Sequence, residues 1–121
     1  MRSQQIHFPW PPNLLENPSK EMSSTLFFNA HDEIIDLLTI YGEERHVIFP
    51  IEEIVRRAAN GEVRKLLLYH THPSGNPAPS QADIVSTRKL CVALKNYPAR
   101  LVDHLIFAGD KSFSFRANAM L

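Results

Sequence analysis

The junction at residues 66–73 constrains this chain more than any other stretch: Leu66, Leu67, Leu68 and Tyr69 run directly into His70-Thr71-His72-Pro73. An apolar run of that length reads as a buried strand. Side chains alternate faces along a strand, so two imidazoles one residue apart point to the same face. Pro73 has no N–H to give to a ladder and ends the strand just past the second ring. The pair therefore stands where the sheet opens into a loop, and a ligand can enter there.

That loop, residues 73–79, is stiffened by Pro73, Pro77 and Pro79, while Gly75 permits a tight bend. Beyond it come Ser80 and Asp83, ahead of an apolar helical stripe. Ser-x-x-Asp in that position is a capping box, in which Ser80 accepts the backbone N–H of residue 83. Taken without the histidines, capping is the ordinary reading, just as a lone histidine pair is compatible with a surface strand end. Taken together, two imidazole nitrogens and one carboxylate make a common protein complement for catalytic zinc, with the fourth position left to water. Capping and ligation are compatible, because the helix N-terminus favours the ionised carboxylate that a metal needs.

Composition limits what surrounds such a site. With 121 residues, 44% hydrophobic and 21% charged, the chain fits one globular domain. Its 13 basic and 13 acidic residues cancel, so no overall field favours nucleic acid or an anionic membrane. The single cysteine, Cys91, forms neither an internal disulfide nor a cysteine zinc cage, and on an apolar stripe it reads as a core residue. No stretch approaches membrane-spanning length. The expectation is a soluble, cytoplasmic protein.

Residues 1–20 form a proline-rich lead-in with Pro9, Pro11, Pro12 and Pro18, and Trp10, Leu14 and Leu15 are expected to dock on the same domain. Residues 21–121 then read as one domain. Strands are expected at 24–29 and 33–41, joined by a turn, and a short apolar stretch follows at 47–49. Pro50 pre-sets a helix with Ile51, Ile54, Val55 and Ala58 at helical spacing, until Asn60-Gly61 stops it. A buried strand is expected at 63–70. A second helix is expected from near Ser80 to about Asn96, with Ile84, Thr87, Cys91 and Leu94 on its inner stripe. A closing hairpin at 101–108 and 112–115 turns through Gly109-Asp110. The architecture is an α/β sandwich, a mixed β-sheet with flanking helices.

His-x-His-Pro, six residues, Ser, two residues and Asp is the signature of the JAMM metalloprotease superfamily, also called MPN+ or JAB, and residues 70–83 resemble it without gaps. Pro73-Ser74-Gly75, Pro77, Pro79-Ser80 and Asp83-Ile84 are similar to its RadC-type branch. So are Leu26-Phe27-Phe28-Asn29, the helix start Pro50 with Glu52-Glu53-Ile54, and Asp103-His104 with Ser114-Phe115. The resemblance runs from Glu21 to near Phe115. It implies a JAB/MPN-like, cytidine-deaminase-like sandwich, with Zn²⁺ held by His70, His72 and Asp83. It also implies a glutamate that activates water. In RadC-type chains this stands eight residues before the Asn or Asp ending the first strand, the place Glu21 holds relative to Asn29.

The chain departs from that branch in two ways. Its helix starts Pro50-Ile51-Glu52 where Pro-Arg-Glu is common, and nothing before Glu21 resembles the branch's helix-hairpin-helix region. Glu52 and Glu53 are rivals to Glu21, but helix starts favour carboxylates for their own sake. His7, His31 and His46 read as solvent-exposed. His104 adjoins Asp103 within a strand, which puts the two on opposite faces; a supporting role for His104 stays open.

What the resemblance implies is a zinc-dependent hydrolase of peptide or isopeptide bonds, with Glu21 as proton acceptor and Ser80 bonding the developing oxyanion. The alternative is a metal-containing binding module without turnover, associated with DNA repair or mobile-element proteins. Phosphodiester hydrolysis is a weaker third, since a neutral chain offers little to hold a nucleic-acid backbone. The expected partner is a peptide or protein substrate.

Overall fold

A computed structural model of the protein describes residues 21–42 and 50–121. The lead-in at 1–20, with Trp10, Leu14 and Leu15, and the apolar stretch at 47–49 lie outside the described residues, as do His7 and His46.

Five strands form one mixed sheet in the order β2-β1-β3-β4-β5. Strands β1 (Met22–Phe28) and β2 (Ile34–Tyr41) pair antiparallel. The turn between them is organised by Asn29, whose side-chain oxygen accepts the backbone N–H groups of His31 at 2.9 Å and Glu33 at 3.0 Å. A short amide side chain that substitutes for a backbone acceptor is what makes asparagine a turn former. Helix α1 (Ile51–Ala58) starts after Pro50 without a side-chain cap. Glu52 and Glu53 in its first turn and Arg56 and Arg57 in its last complement the helix dipole instead.

Strand β3 (Lys65–Thr71) sits in the centre, antiparallel to β1 and parallel to β4 (Arg100–Ala108). Parallel neighbours need a long crossover, and α2 (Gln81–Leu94) supplies it. Strand β5 (Lys111–Ser114) closes the hairpin through Gly109, which takes a φ of 61° that side-chain-bearing residues rarely adopt. The architecture is the α/β sheet-and-helix arrangement expected from the sequence, with β3 displaced slightly toward the C-terminus.

One face of the sheet carries both the core and the site. Leu66, Leu68 and His70 alternate along β3, opposite Phe27, Thr25 and Ser23 on β1. Leu101, His104 and Ile106 stand beside them on β4. Both helices pack here: Ile54 and Ala58 of α1 and Leu90 and Leu94 of α2 join Phe27, Leu66, Leu68 and Leu101 in one apolar cluster.

The inner stripe of α2 differs from the expected one. Asp83, Thr87, Leu90 and Leu94 are its buried residues, whereas Ile84 and Cys91 lie half-buried on the flank. Thr87 and Leu94 keep their expected inner places, and the stripe shifts by one residue only at Asp83 and Leu90, because the first turn directs a carboxylate, not an isoleucine, toward the histidines. A stripe assigned by hydrophobicity alone misses this, since a polar residue has been given a core position. None of the described helices is long and apolar enough to cross a membrane.

Candidate metal centre

The sheet delivers His70 from within β3, and His72 just beyond it. The backbone N–H of His72 still donates to the Phe107 carbonyl at 2.8 Å, so the chain stays extended and both rings face the same way. The loop then folds back on His72. Gly75 at φ 83° makes the bend, and its N–H donates to the His72 carbonyl at 3.3 Å. His72 Nδ1 donates to the carbonyl of Asn76 at 2.9 Å, which leaves its Nε2 facing the site.

Asp83 arrives from the other side, on the first turn of α2. Its Oδ2 accepts the N–H of Ser80 at 2.8 Å, while the Ser80 hydroxyl accepts the N–H of Asp83 at 3.0 Å. The capping box is thus formed in both directions, and it fixes the carboxylate's orientation as well as the helix start. The same Oδ2 lies 3.4 Å from His70 Nε2 and 3.3 Å from His72 Nε2. The two imidazole Nε2 atoms are 2.8 Å apart.

These spacings suit a small tetrahedral cation. With zinc–ligand distances of about 2.0–2.1 Å, neighbouring ligand atoms of a tetrahedron stand about 3.3 Å apart. Both imidazole–carboxylate separations match, and the imidazole pair is tighter. His70, His72 and Asp83 form the potential metal-holding group of histidine, cysteine or acidic side chains among the described residues. Charge in the site is mutually supportive. Burial alone would raise the Asp83 carboxyl, but bonding to His70 and His72, the charge of His70 and the Ser80 N–H outweigh it and hold Asp83 well below the usual carboxylate range. His72 is pushed up by its bond to Asp83, against the effect of burial, with smaller contributions from the Asn76 carbonyl and the charges of Asp83 and Glu21.

Of the other residues singled out by sequence, Ser80 stands exposed at the rim, acting as the N-cap of α2. Glu21 immediately precedes β1, where the N–H of its neighbour Met22 donates to the Thr71 hydroxyl at 3.0 Å. That bond places the start of β1 beside the end of the histidine strand, and the carboxylate is near enough for its charge to act on His72. Glu53 is remote in role: it is held down to about 2 by hydrogen bonds from Arg56 and then Arg57 on its own helix. His31 is exposed, as expected.

Sequence reasoning did not bring Thr87 or Asn76 into the site, and it left a supporting role for His104 open without naming its partners. His104 is fully buried, at 0% exposure, and stacks on Phe115 with ring centroids 4.4 Å apart. Its Nε2 lies 2.7 Å from His70 Nδ1, and its Nδ1 lies 2.7 Å from the Thr87 hydroxyl. Burial, then the charge of His70, lowers the His104 imidazole to about 3. Asp103 points elsewhere, as its adjacency to His104 requires. It accepts the His104 backbone N–H at 2.7 Å, the Ser114 hydroxyl at 2.6 Å and the Arg116 N–H at 3.0 Å, tying the end of the closing hairpin. The available signal was period two in β4, which puts His104 on the same face as Ile106 and Ala108. Its partners belong to β3 and α2, and no spacing within β4 points to them.

A family model described as the RadC-like JAB domain matches residues 5–120. Curated relatives agree with it. A UPF0758 protein of Coxiella burnetii is 35% identical over 108 residues, covering 88% of this chain and 48% of the relative. The UPF0758 protein YfjY of Escherichia coli is 33% identical over 103 residues, covering 84% of this chain and 64% of the relative. A UPF0758 protein of Lactococcus lactis is 33% identical over 103 residues, covering 84% and 45% respectively. The chain spans about half the length of the curated relatives it matches.

Proposed function

From the premise that this chain belongs to the RadC-like JAB domain family, we propose that it is a zinc-dependent hydrolase of peptide or isopeptide bonds in a protein or peptide substrate. The observation that carries this reading is the convergence of His70 Nε2, His72 Nε2 and Asp83 Oδ2 at the open end of the sheet. Bound zinc would supply a Lewis acid for a carbonyl oxygen and lower the pKa of water from ~15.7 to roughly 7.

The chain's own groups would do the rest. Glu21 takes a proton from the attacking water and passes it to the leaving nitrogen. Water oxygen bonds to the carbonyl carbon, the C–N bond breaks, and a carboxylic acid and an amine leave. Ser80 is suited to the oxyanion, because its cap bond uses an oxygen lone pair to accept from Asp83 and keeps the hydroxyl hydrogen free to donate. The capping box keeps Ser80 and Asp83 in register, so the oxyanion donor and the ligand are positioned by one turn of helix.

The test has two parts. Purified protein is expected to bind one equivalent of zinc by elemental analysis, and Glu21→Gln to keep that zinc while losing hydrolysis of peptide and isopeptide model substrates. Zinc retained by the unaltered protein with no turnover of either bond type would instead favour the non-catalytic metal-containing module. Unchanged turnover in Glu21→Gln would remove Glu21 from the role.

A further inference from the structure

We propose that Thr87 and His104 form a buried hydrogen-bond relay that fixes His70 in its Nδ1–H tautomer and so presents Nε2 as the ligand atom. The inference deepens the metal-centre reading and rests on it for what Nε2 would bind. The tautomer itself is a property of the metal-free chain.

The direction of the relay follows from counting hydrogens. Thr87 Oγ1 donates to the backbone carbonyl of Asp83 at 2.7 Å, and a carbonyl only accepts. A hydroxyl has one hydrogen, so toward His104 Nδ1 at 2.7 Å the Thr87 oxygen must accept. His104 Nδ1 therefore carries the proton. In a neutral imidazole the other nitrogen is then an acceptor, and complete burial against Phe115 favours the neutral ring. His104 Nε2 lies 2.7 Å from His70 Nδ1, so His70 must be the donor there. This leaves His70 Nε2 with its lone pair exposed to the site.

His72 is fixed in the same sense by a different device, because its Nδ1 donates to the Asn76 carbonyl. With both Nδ1 atoms engaged as donors, the two Nε2 atoms come within 2.8 Å of each other beside a carboxylate oxygen, where a single proton or a metal cation can be shared among them. At alkaline pH, where that proton is lost, the three acceptor atoms repel one another and a metal cation relieves the repulsion. The relay also closes on itself: it begins at the carbonyl of Asp83 and ends at a ring that faces the carboxylate of Asp83. One residue of α2 thus anchors the relay through its backbone and offers a ligand atom through its side chain. His104 is a positioning residue, held in plane by Phe115 at an interplanar angle of 7°.

Long-range proton–nitrogen correlation spectra of histidine-labelled, metal-free protein at alkaline pH read the tautomers directly. The expected result is protonated Nδ1 and bare Nε2 on both His70 and His104. A bare Nδ1 on His70 overturns the relay, whether or not zinc binds. Absence of zinc binding with the expected tautomers would leave the relay intact and remove the metal reading, so the two failures are distinguishable. Substitutions add a second measurement. His104→Phe keeps the stacking but removes the acceptor, and zinc affinity by chelator competition is expected to fall about 10- to 100-fold. His104→Gln, whose amide oxygen can accept from His70 Nδ1, is expected to recover part of that loss. Thr87→Val, nearly isosteric, should release the tautomer preference with a smaller loss. If the folded His104→Phe and Thr87→Val proteins keep both the His70 tautomer and the zinc affinity, the relay is wrong.

Discussion

The buried layer over β3 has two ends built on the same geometry and filled with opposite chemistry. At one end Phe27, Leu66, Leu101 and Leu94 meet as a buried apolar cluster. Three or four residues away along each strand the same face carries Ser23, His70 and His104, and further upstream on α2 it meets Thr87 and Asp83. Burial is similar at both ends, with Leu66 at 0% and His70 at 1% exposure. The apolar end is held by area removed from water, a non-directional interaction that tolerates small adjustments. The polar end must satisfy each nitrogen and oxygen individually, since an unpaired buried polar group costs about 1–3 kcal/mol. Among the described residues, no buried side-chain nitrogen or oxygen lacks a hydrogen-bond partner. The apolar end therefore sets how stable the layer is, and the polar end sets what it can hold.

The largest expected difference between the ends comes from Asp83→Asn. It preserves volume and can still accept from the Ser80 N–H, but it removes the anionic ligand. Stoichiometric zinc should disappear, and with it the stabilisation that zinc gives the unaltered protein, ~2.7 kcal/mol at a zinc concentration 100 times Kd. Thermal melts with and without zinc and with chelator check this. Leu66→Ala acts at the opposite end and should cost about 2–5 kcal/mol in denaturant unfolding, while the folded fraction keeps its zinc affinity. If Leu66→Ala also abolished zinc binding, the two ends would not be separable.

Ser80→Ala probes the boundary between cap and site. Losing an N-cap side chain costs ~1 kcal/mol of stability, whereas losing an oxyanion donor costs about 100-fold or more in rate. A loss of stability without a loss of turnover would assign Ser80 to the helix alone. The smallest effect belongs to the outer face of α1. Glu53 has its pKa lowered to about 2 from 4.5 by Arg56 and Arg57, so its contribution is present above pH 4.5 and is lost as pH falls toward 2. The difference in unfolding midpoint between Glu53→Gln and the unaltered protein should shrink over that interval. It should be slight throughout, because exposed ion pairs contribute little.

Local pattern was enough for much of this molecule. Both hairpins, the Pro50 helix start and the Ser80 cap are encoded by neighbours a few residues apart, and each was legible because turns, caps and alternation are short-range physics. The candidate metal group, as a spatial cluster, was legible for the same reason. His70 and His72 are linked by strand period, and a stiff loop with a helix start returns Asp83 to them. The inner stripe of α2 holds Thr87 and Leu94 as expected, but Asp83 and Leu90 take the fully buried places while Ile84 and Cys91 are only half-buried. Hydrophobicity cannot rank a carboxylate above an isoleucine for a buried position when the carboxylate's partners are on another element.

The amino-acid sequence by itself thus determined the candidate donor set, the cap that aims one of its members and the strand that aligns the other two. All of these depend on separations within residues 70–83. Only the tertiary structure decided what stands behind His70 and which of its nitrogens faces the site. His104 lies 34 positions from His70 and 17 from Thr87, and the three meet only when β3, β4 and α2 pack. A hydrogen bond depends on distance and direction between atoms, and neither is carried by the identity of residues so far apart in the chain.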